Sequence, residues 1–218
     1  MKDDQIAGVI RLLEERLQET ELPIVSQLAR EPCDPYLILI STLLSLRTKD
    51  EVTAEASERL FALANTPETM LGLSEDTVAR AIYPVGFYHT KARTVLEVSR
   101  LLVDRFQGRV PDDLETLLAI KGVGRKTANL VLTLGFDRDG ICVDTHVHRI
   151  SNRLGYVRTR TPDETEFALR KKLPRVFWKR YNTLLVAFGR ETCRPLSPLC
   201  SRCPLTALCD RAGVVKSR

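Results

Sequence analysis

Three groups of residues in this sequence combine types and spacings that could do chemistry. The first is Leu118-Ala119-Ile120-Lys121-Gly122-Val123-Gly124-Arg125-Lys126-Thr127-Ala128-Asn129, where a glycine pair runs into basic residues. The second is Val143-Asp144-Thr145-His146, which sets a carboxylate at the start of a helical stretch. The third is Cys193, Cys200, Cys203 and Cys209, spaced C-x6-C-x2-C-x5-C.

Two helices joined through Gly122-Val123-Gly124 make a tight helix–hairpin–helix. Glycines admit backbone conformations closed to other residues and let a ligand come near. Amides at the start of the second helix, backed by the positive end of its dipole, form an anion site. Lys121, Arg125 and Lys126 add charge. An ammonium is no nucleophile, but desolvation and a positive helix end both favour the neutral amine. Lys126, in the first turn of a helix that substrate would close, therefore has what an amine nucleophile needs. A lysine–carboxylate pair suits the breaking of a glycosidic bond. The carboxylate stabilises positive charge developing on the sugar and helps manage the amine proton.

Other readings compete. A nucleotide-binding P-loop fails on spacing, because Arg125 stands where its second glycine belongs and Ile120 where its first does. A dinucleotide fold fails because no strand precedes the glycines. An ordinary turn with a solvated lysine accounts for Gly-Val-Gly alone equally well. Asp144 taken alone reads first as a helix N-cap, worth about 1 kcal/mol. His146 and His148 read as structural or phosphate-contacting.

The cysteines point to a metal or cluster rather than disulfides in a reducing compartment. Zinc and a [4Fe–4S] cluster both accept four thiolates. The spacing is neither the bacterial ferredoxin run nor the paired modules of a zinc ribbon, so the residues alone leave both open. Arg190, Arg194, Arg202 and Arg211 surround the segment. Cys33 and Cys142 fall outside it and read as packed thiols.

Helical periodicity supplies the elements that must position these groups. Ile6, Val9, Ile10, Leu13 and Leu17 give an apolar stripe for a first helix. The run from Tyr36 to Leu46 is apolar almost all round, and its length favours a central helix. Helices follow over 52–63, from Ser74 to near Pro84, and over 91–106, with a short turn opened by Thr66-Pro67. The hairpin is flanked by helices over 112–119 and 125–134. Another helix begins at Thr145 and stops at Gly155. Thr161-Pro162-Asp163-Glu164 is a capping box, and the helix bearing Phe177, Trp178, Tyr181 and Phe188 is closed by Gly189. No period-two alternation stands out, so the expected fold is all-α.

Composition sets wider bounds. With 218 residues and 44% hydrophobic, the chain can form one large or two small domains. A net charge of +5 and a pI near 9.0 suit a polyanionic partner. The polar N-terminus excludes an ordinary secretory signal, and no run approaches the roughly 20 apolar residues of a membrane span. The protein is expected to be soluble and cytoplasmic, with no membrane partner.

Together, Gly122 to Asn129, Val143 to His146 and the cysteine tail resemble bacterial and archaeal endonuclease III, among the helix–hairpin–helix DNA glycosylases. The resemblance runs from about Leu37 to Cys209. It implies a two-domain fold: residues 28–138 as a six-helix domain with the hairpin, and 1–27 with 139–218 as the domain of an iron–sulfur cluster loop. DNA would lie across the cleft between them. Lys126 matches the family's nucleophile, Asp144 its essential aspartate, and the four cysteines the ligands of a mainly structural [4Fe–4S] cluster. The implied partner of this expected monomer is double-stranded DNA containing oxidised pyrimidines or abasic sites, excised through a lysine Schiff base and nicked by β-elimination. Lys121, Gly122, Val123, Gly124, Arg125 and His146 would meet the DNA, and the carbonyls of Leu118, Ile120 and Val123 could hold a monovalent cation.

Three positions depart from the best-known pattern. Arg47 falls where many relatives carry glutamine, Phe87 where a leucine wedge is common, and Lys121 where proline often opens the hairpin. Arg47 and Phe87 keep a polar plug and an apolar wedge for the hole left by a flipped base, but leave opposite-strand preference open. Two alternatives remain: a sister glycosylase of different base specificity, and a non-catalytic DNA-binding protein, which the presence of both Lys126 and Asp144 disfavours.

Overall fold

The computed structural model describes residues 1–17 and 34–218; Cys33 and the expected boundary at residue 28 lie outside them. The chain divides into two compact units, Met1–Pro23 with Asp139–Arg218, and Ile24–Arg138. Among the described residues all regular structure is helical, as the periodicity requires. None of these helices is long and apolar enough to cross a membrane.

The hairpin-bearing unit is built around α2 (Pro35–Ser45). Asp34 starts it by accepting the Tyr36 amide at 2.8 Å, with proline at the first helical position. Its run of Ile38, Leu39, Ile40, Leu43 and Leu44 is buried on every side, which is why the segment shows no polar face. Truncating one of these to alanine would cost about 2–5 kcal/mol. Around it pack α3 (Asp50–Leu63), α6 (Tyr88–Phe106) and α8 (Arg125–Leu130). α4 (Pro67–Leu71) and α5 (Glu75–Ile82) lie on α6, each capped by the residue its sequence predicts, Thr66 and Ser74. α7 (Leu114–Ala119), capped by Asp113, leads into the hairpin. The helix expected to run to Leu134 changes pitch to one π-helical turn at Val131–Gly135. There the Thr133 hydroxyl bonds back to the carbonyls of Asn129 and Leu130, a side-chain competition that disturbs a regular ladder.

In the other unit α1 (Ile6–Leu17) packs on α11 (Trp178–Glu191), burying Ile6, Val9, Ile10 and Leu13. The side chain of Leu17 lies outside the described residues. α9 (Thr145–Arg153) sits between α11 and α10 (Pro162–Lys172). The core centres on Tyr181, fully buried, whose hydroxyl meets Ser151 at 3.0 Å. Two details differ from the sequence reading. Thr161 caps α10 by accepting the Glu164 amide, but the Glu164 carboxylate takes the Arg160 amide, one residue earlier than a closed capping box. Gly189 does not close α11; it lies inside the helix, and Thr192 is the C-cap. A Cβ at Gly189 would stand 2.4 Å from His146 Nδ1, so close helix approach explains the glycine.

Candidate active site and cysteine pocket

At the hairpin, Ile120 and Val123 are buried and pin the turn, with the Val123 amide donating to the Ile120 carbonyl at 3.0 Å. The two glycines do different work. Gly122 has φ of +92°, a conformation that strains other residues, and a Cβ there would lie 3.0 Å from Thr94 Cγ2. Gly124 is extended (φ −91°, ψ 175°), is the N-cap of α8, and a Cβ there would meet nothing within 4 Å. The backbone at the first position favours glycine. The second leaves open space at the start of α8.

Lys126 is the second residue of α8 and half-buried, beside half-buried Arg125. Buried Asn129 donates to the Arg125 carbonyl at 3.0 Å and so steadies this first turn. Lys121 projects from the turn into solvent and pairs with Glu97 at 3.3 Å, an exposed contact worth at most about 1 kcal/mol.

Asp144, in the other unit, is the N-cap of α9. Its Oδ1 accepts the amides of His146 and Val147 at 2.9 and 3.0 Å. Arg149 donates to His146 Nδ1 at 3.1 Å, which places the imidazole proton on Nε2. Arg149 also donates to the carbonyls of Gly189 and Cys193, and Arg153 to Cys193 Sγ and the carbonyls of Arg194 and Pro195. These two arginines stitch the helix that Asp144 starts to the cysteine segment. Sequence reasoning missed them, since an arginine pair on a helix normally signals only a solvated face.

Cys193, Cys200, Cys203 and Cys209 line one pocket, with Phe188 and Leu205 at its apolar wall. All are free of disulfides and half-buried. Burial pushes the Cys203 and Cys209 thiols up, and the neighbouring cysteines push the same way. Among the described residues no three Cys, His, Asp or Glu side chains converge as ligands on one metal ion.

Arg47 and Phe87, distant in sequence, are brought together: the Arg47 guanidinium carbon lies 4.8 Å from the Phe87 ring centroid. Both are exposed. Sequence reasoning also missed Lys91, whose Nζ donates to the Leu44 and Leu46 carbonyls and to Thr48 Oγ1. Its signal was present: Lys91, Val95, Val98 and Leu102 share one helical stripe, and a lysine continuing an apolar stripe needs a polar destination.

Residues 40–175 match the model of the HhH-GPD superfamily base excision DNA repair protein, which agrees with the helical hairpin at Gly122–Gly124. Endonuclease III of Thermotoga maritima is 48% identical over 196 residues, covering 89% of this chain and 92% of that protein. Endonuclease III of Bacillus subtilis is 34% identical, covering 84% and 87%. The solved structure of a trapped endonuclease III–DNA covalent intermediate superposes with a TM-score of 0.85 at 31% identity over 97% of each chain. The chain belongs to the endonuclease III family, the DNA glycosylases with AP lyase activity of base excision repair.

Proposed function

We propose that this enzyme excises oxidised and ring-saturated pyrimidines from double-stranded DNA and cuts abasic sites, with Lys126 as nucleophile and Asp144 as the essential carboxylate. The observation that carries the reading is the placement of Lys126, half-buried in the first turn of α8, two residues past the open face of Gly124. Backbone amides and a helix end hold a phosphate at such a position, and Lys121, Gly122, Val123 and Arg125 complete the grip. His146, its proton on Nε2, contacts the DNA as a donor. The carbonyls of Leu118, Ile120 and Val123 are oxygen donors of the kind a monovalent cation takes.

The damaged nucleotide is flipped from the stack, which is least costly where the base is already damaged. Lys126 Nζ attacks C1′, the C1′–N bond breaks, and the base leaves with a proton. Asp144 stabilises positive charge on the sugar while the amine proton departs. Sugar opening gives a Schiff base, loss of a C2′ proton breaks the C3′–O bond, and water hydrolyses the imine to free Lys126. Arg47 and Phe87 fill the hole in the duplex.

Cys193, Cys200, Cys203 and Cys209 would hold a [4Fe–4S] cluster. Four free, half-buried thiols lining one pocket fit such a donor set, and a bound cationic cluster would favour their thiolate form. The cluster supplies folding energy and no step of excision.

Product analysis tests the reading. A thymine glycol duplex should yield free base and a strand ending in a 3′ unsaturated aldehyde. Free base with an intact strand would reject the lyase route, and inertness toward every modified pyrimidine would reject the substrate class. Iron and inorganic sulfide should accompany the purified protein; colourless, zinc-loaded protein would reject the cluster.

A further inference from the structure

Arg47 and Phe87 occupy separate segments, and neither is anchored by its own side chain in the core. Something else must hold them in register. The Leu46–Thr48 loop follows α2, and Phe87 is the N-cap of α6. Lys91, one turn into α6, reaches back beneath the loop. Its Nζ donates to the carbonyls of Leu44 at 2.7 Å and Leu46 at 2.6 Å, and to Thr48 Oγ1 at 3.1 Å. That uses all three donors of an ammonium. Thr48 Oγ1 in turn accepts the Gly86 amide at 3.2 Å. A Cβ at Gly86 would approach the Arg47 carbonyl to 3.0 Å, so the two backbones run close together here.

The acceptors explain why a lysine sits here. Carbonyls at the end of α2 lack helical partners, and a cation at a helix C-terminus is favourable. No carboxylate among the described residues pairs with Lys91; burial lowers its pKa to about 8. A leucine would continue the stripe of Val95, Val98 and Leu102 at lower desolvation cost but would leave the loop untethered.

We propose that Lys91 is a positioning residue for base excision: its ammonium locks the Leu46–Thr48 loop to the start of α6, so that Arg47 and Phe87 enter the duplex as one unit. This rests on the reading of Arg47 and Phe87 as the residues that fill the gap left by the flipped base. The three donors of Lys91 all go to the chain's own loop, so it acts through Arg47 and Phe87.

Lys91→Met keeps most of the unbranched side chain and removes its donors. Thr48→Val breaks the same network from the loop side and keeps the proposal testable if Lys91→Met folds poorly. Three readouts apply to the full chain. They are single-turnover excision of thymine glycol from duplex, the rate ratio with adenine or guanine opposite the lesion, and borohydride trapping on a single-stranded abasic oligonucleotide, which has no gap to fill. Both variants should slow duplex excision by about tenfold or more and change the opposite-base ratio, while single-strand trapping shifts by less than about twofold. Lys91→Arg should recover part of the duplex rate. Duplex excision at the wild-type rate with an unchanged ratio, while Arg47→Ala and Phe87→Ala are impaired, would overturn the role of Lys91 alone. Equal losses on duplex and single strand would reduce Lys91 to a stability element and also overturn it. Unimpaired Arg47→Ala and Phe87→Ala would instead overturn the gap-filling reading, and the proposal with it.

Discussion

The guanidinium of Arg47 stacks over the ring of Phe87, 4.8 Å from its centroid, and both residues hold left-handed backbone conformations, with φ of 57° and 60°. Neither is a glycine, and a bulky residue at positive φ is strained. Strain of this kind, at exposed residues that contribute little to a core, collects at functional sites. The pair should therefore show opposite effects on stability and activity. Phe87→Gly should be more stable than Phe87→Ala by about 1 kcal/mol, because it relaxes the backbone. Both should slow duplex excision by at least about tenfold, since the wedge offsets unstacking that costs a few kcal/mol. Chemical denaturation with single-turnover kinetics checks both halves.

The hairpin glycines should separate folding from DNA binding. Gly122→Ala forces a Cβ into a left-handed position against Thr94 and should destabilise the protein by about 1–2 kcal/mol. Gly124→Ala meets nothing within the chain, so its stability should stay within about 0.5 kcal/mol of wild type. Its affinity for abasic duplex should nevertheless fall by about tenfold, near 1.4 kcal/mol. Parallel thermal melts and binding titrations decide this.

Asp144 combines a structural and a proposed chemical role, and two substitutions part them. Asparagine retains an oxygen for the His146 and Val147 amides. Asp144→Asn should therefore alter stability by less than about 1 kcal/mol, whereas Asp144→Ala should lose roughly that much or more. Both should reduce excision by about a hundredfold or more, because both remove the charge. If Asp144→Asn excised normally, Asp144 would be a helix cap only.

Lys91 predicts a pH dependence of stability. Burial lowers its pKa from 10.5 to about 8. Between those values the unfolded chain binds more protons at this site than the folded one. Its contribution therefore rises as pH climbs through that window and is lost as pH falls through the lower value. Lys91→Met removes this titration. The unfolding free-energy difference between wild type and Lys91→Met, followed by urea denaturation from neutral pH upward, should shift toward wild type. A constant difference would contradict the buried ammonium.

Much of this architecture is legible in the sequence because its signals are local. Thr66 and Ser74 announce helix starts through their own side chains, and the apolar run of α2 can only be buried. Type and spacing singled out the hairpin, Asp144 and the four cysteines as candidates, and the family resemblance added Arg47 and Phe87. What escaped is what depends on folding back. Nothing local tells that Gly122 is conformational while Gly124 is open, or that Gly189 makes room for His146 instead of ending a helix. Nor does local sequence assign Arg149 and Arg153 to the carbonyls around Cys193. Lys91 stood on an apolar stripe in plain view, but its acceptors lie more than forty residues away.

The central claim is that Lys126 forms a covalent bond to the sugar. Incubation with abasic or thymine glycol duplex, followed by borohydride, should yield a stable protein–DNA adduct whose modified peptide contains Lys126. Lys126→Gln, folded and still able to bind the duplex, should yield none. An adduct that persists in Lys126→Gln, or no adduct from wild type under conditions of active excision, would contradict the account.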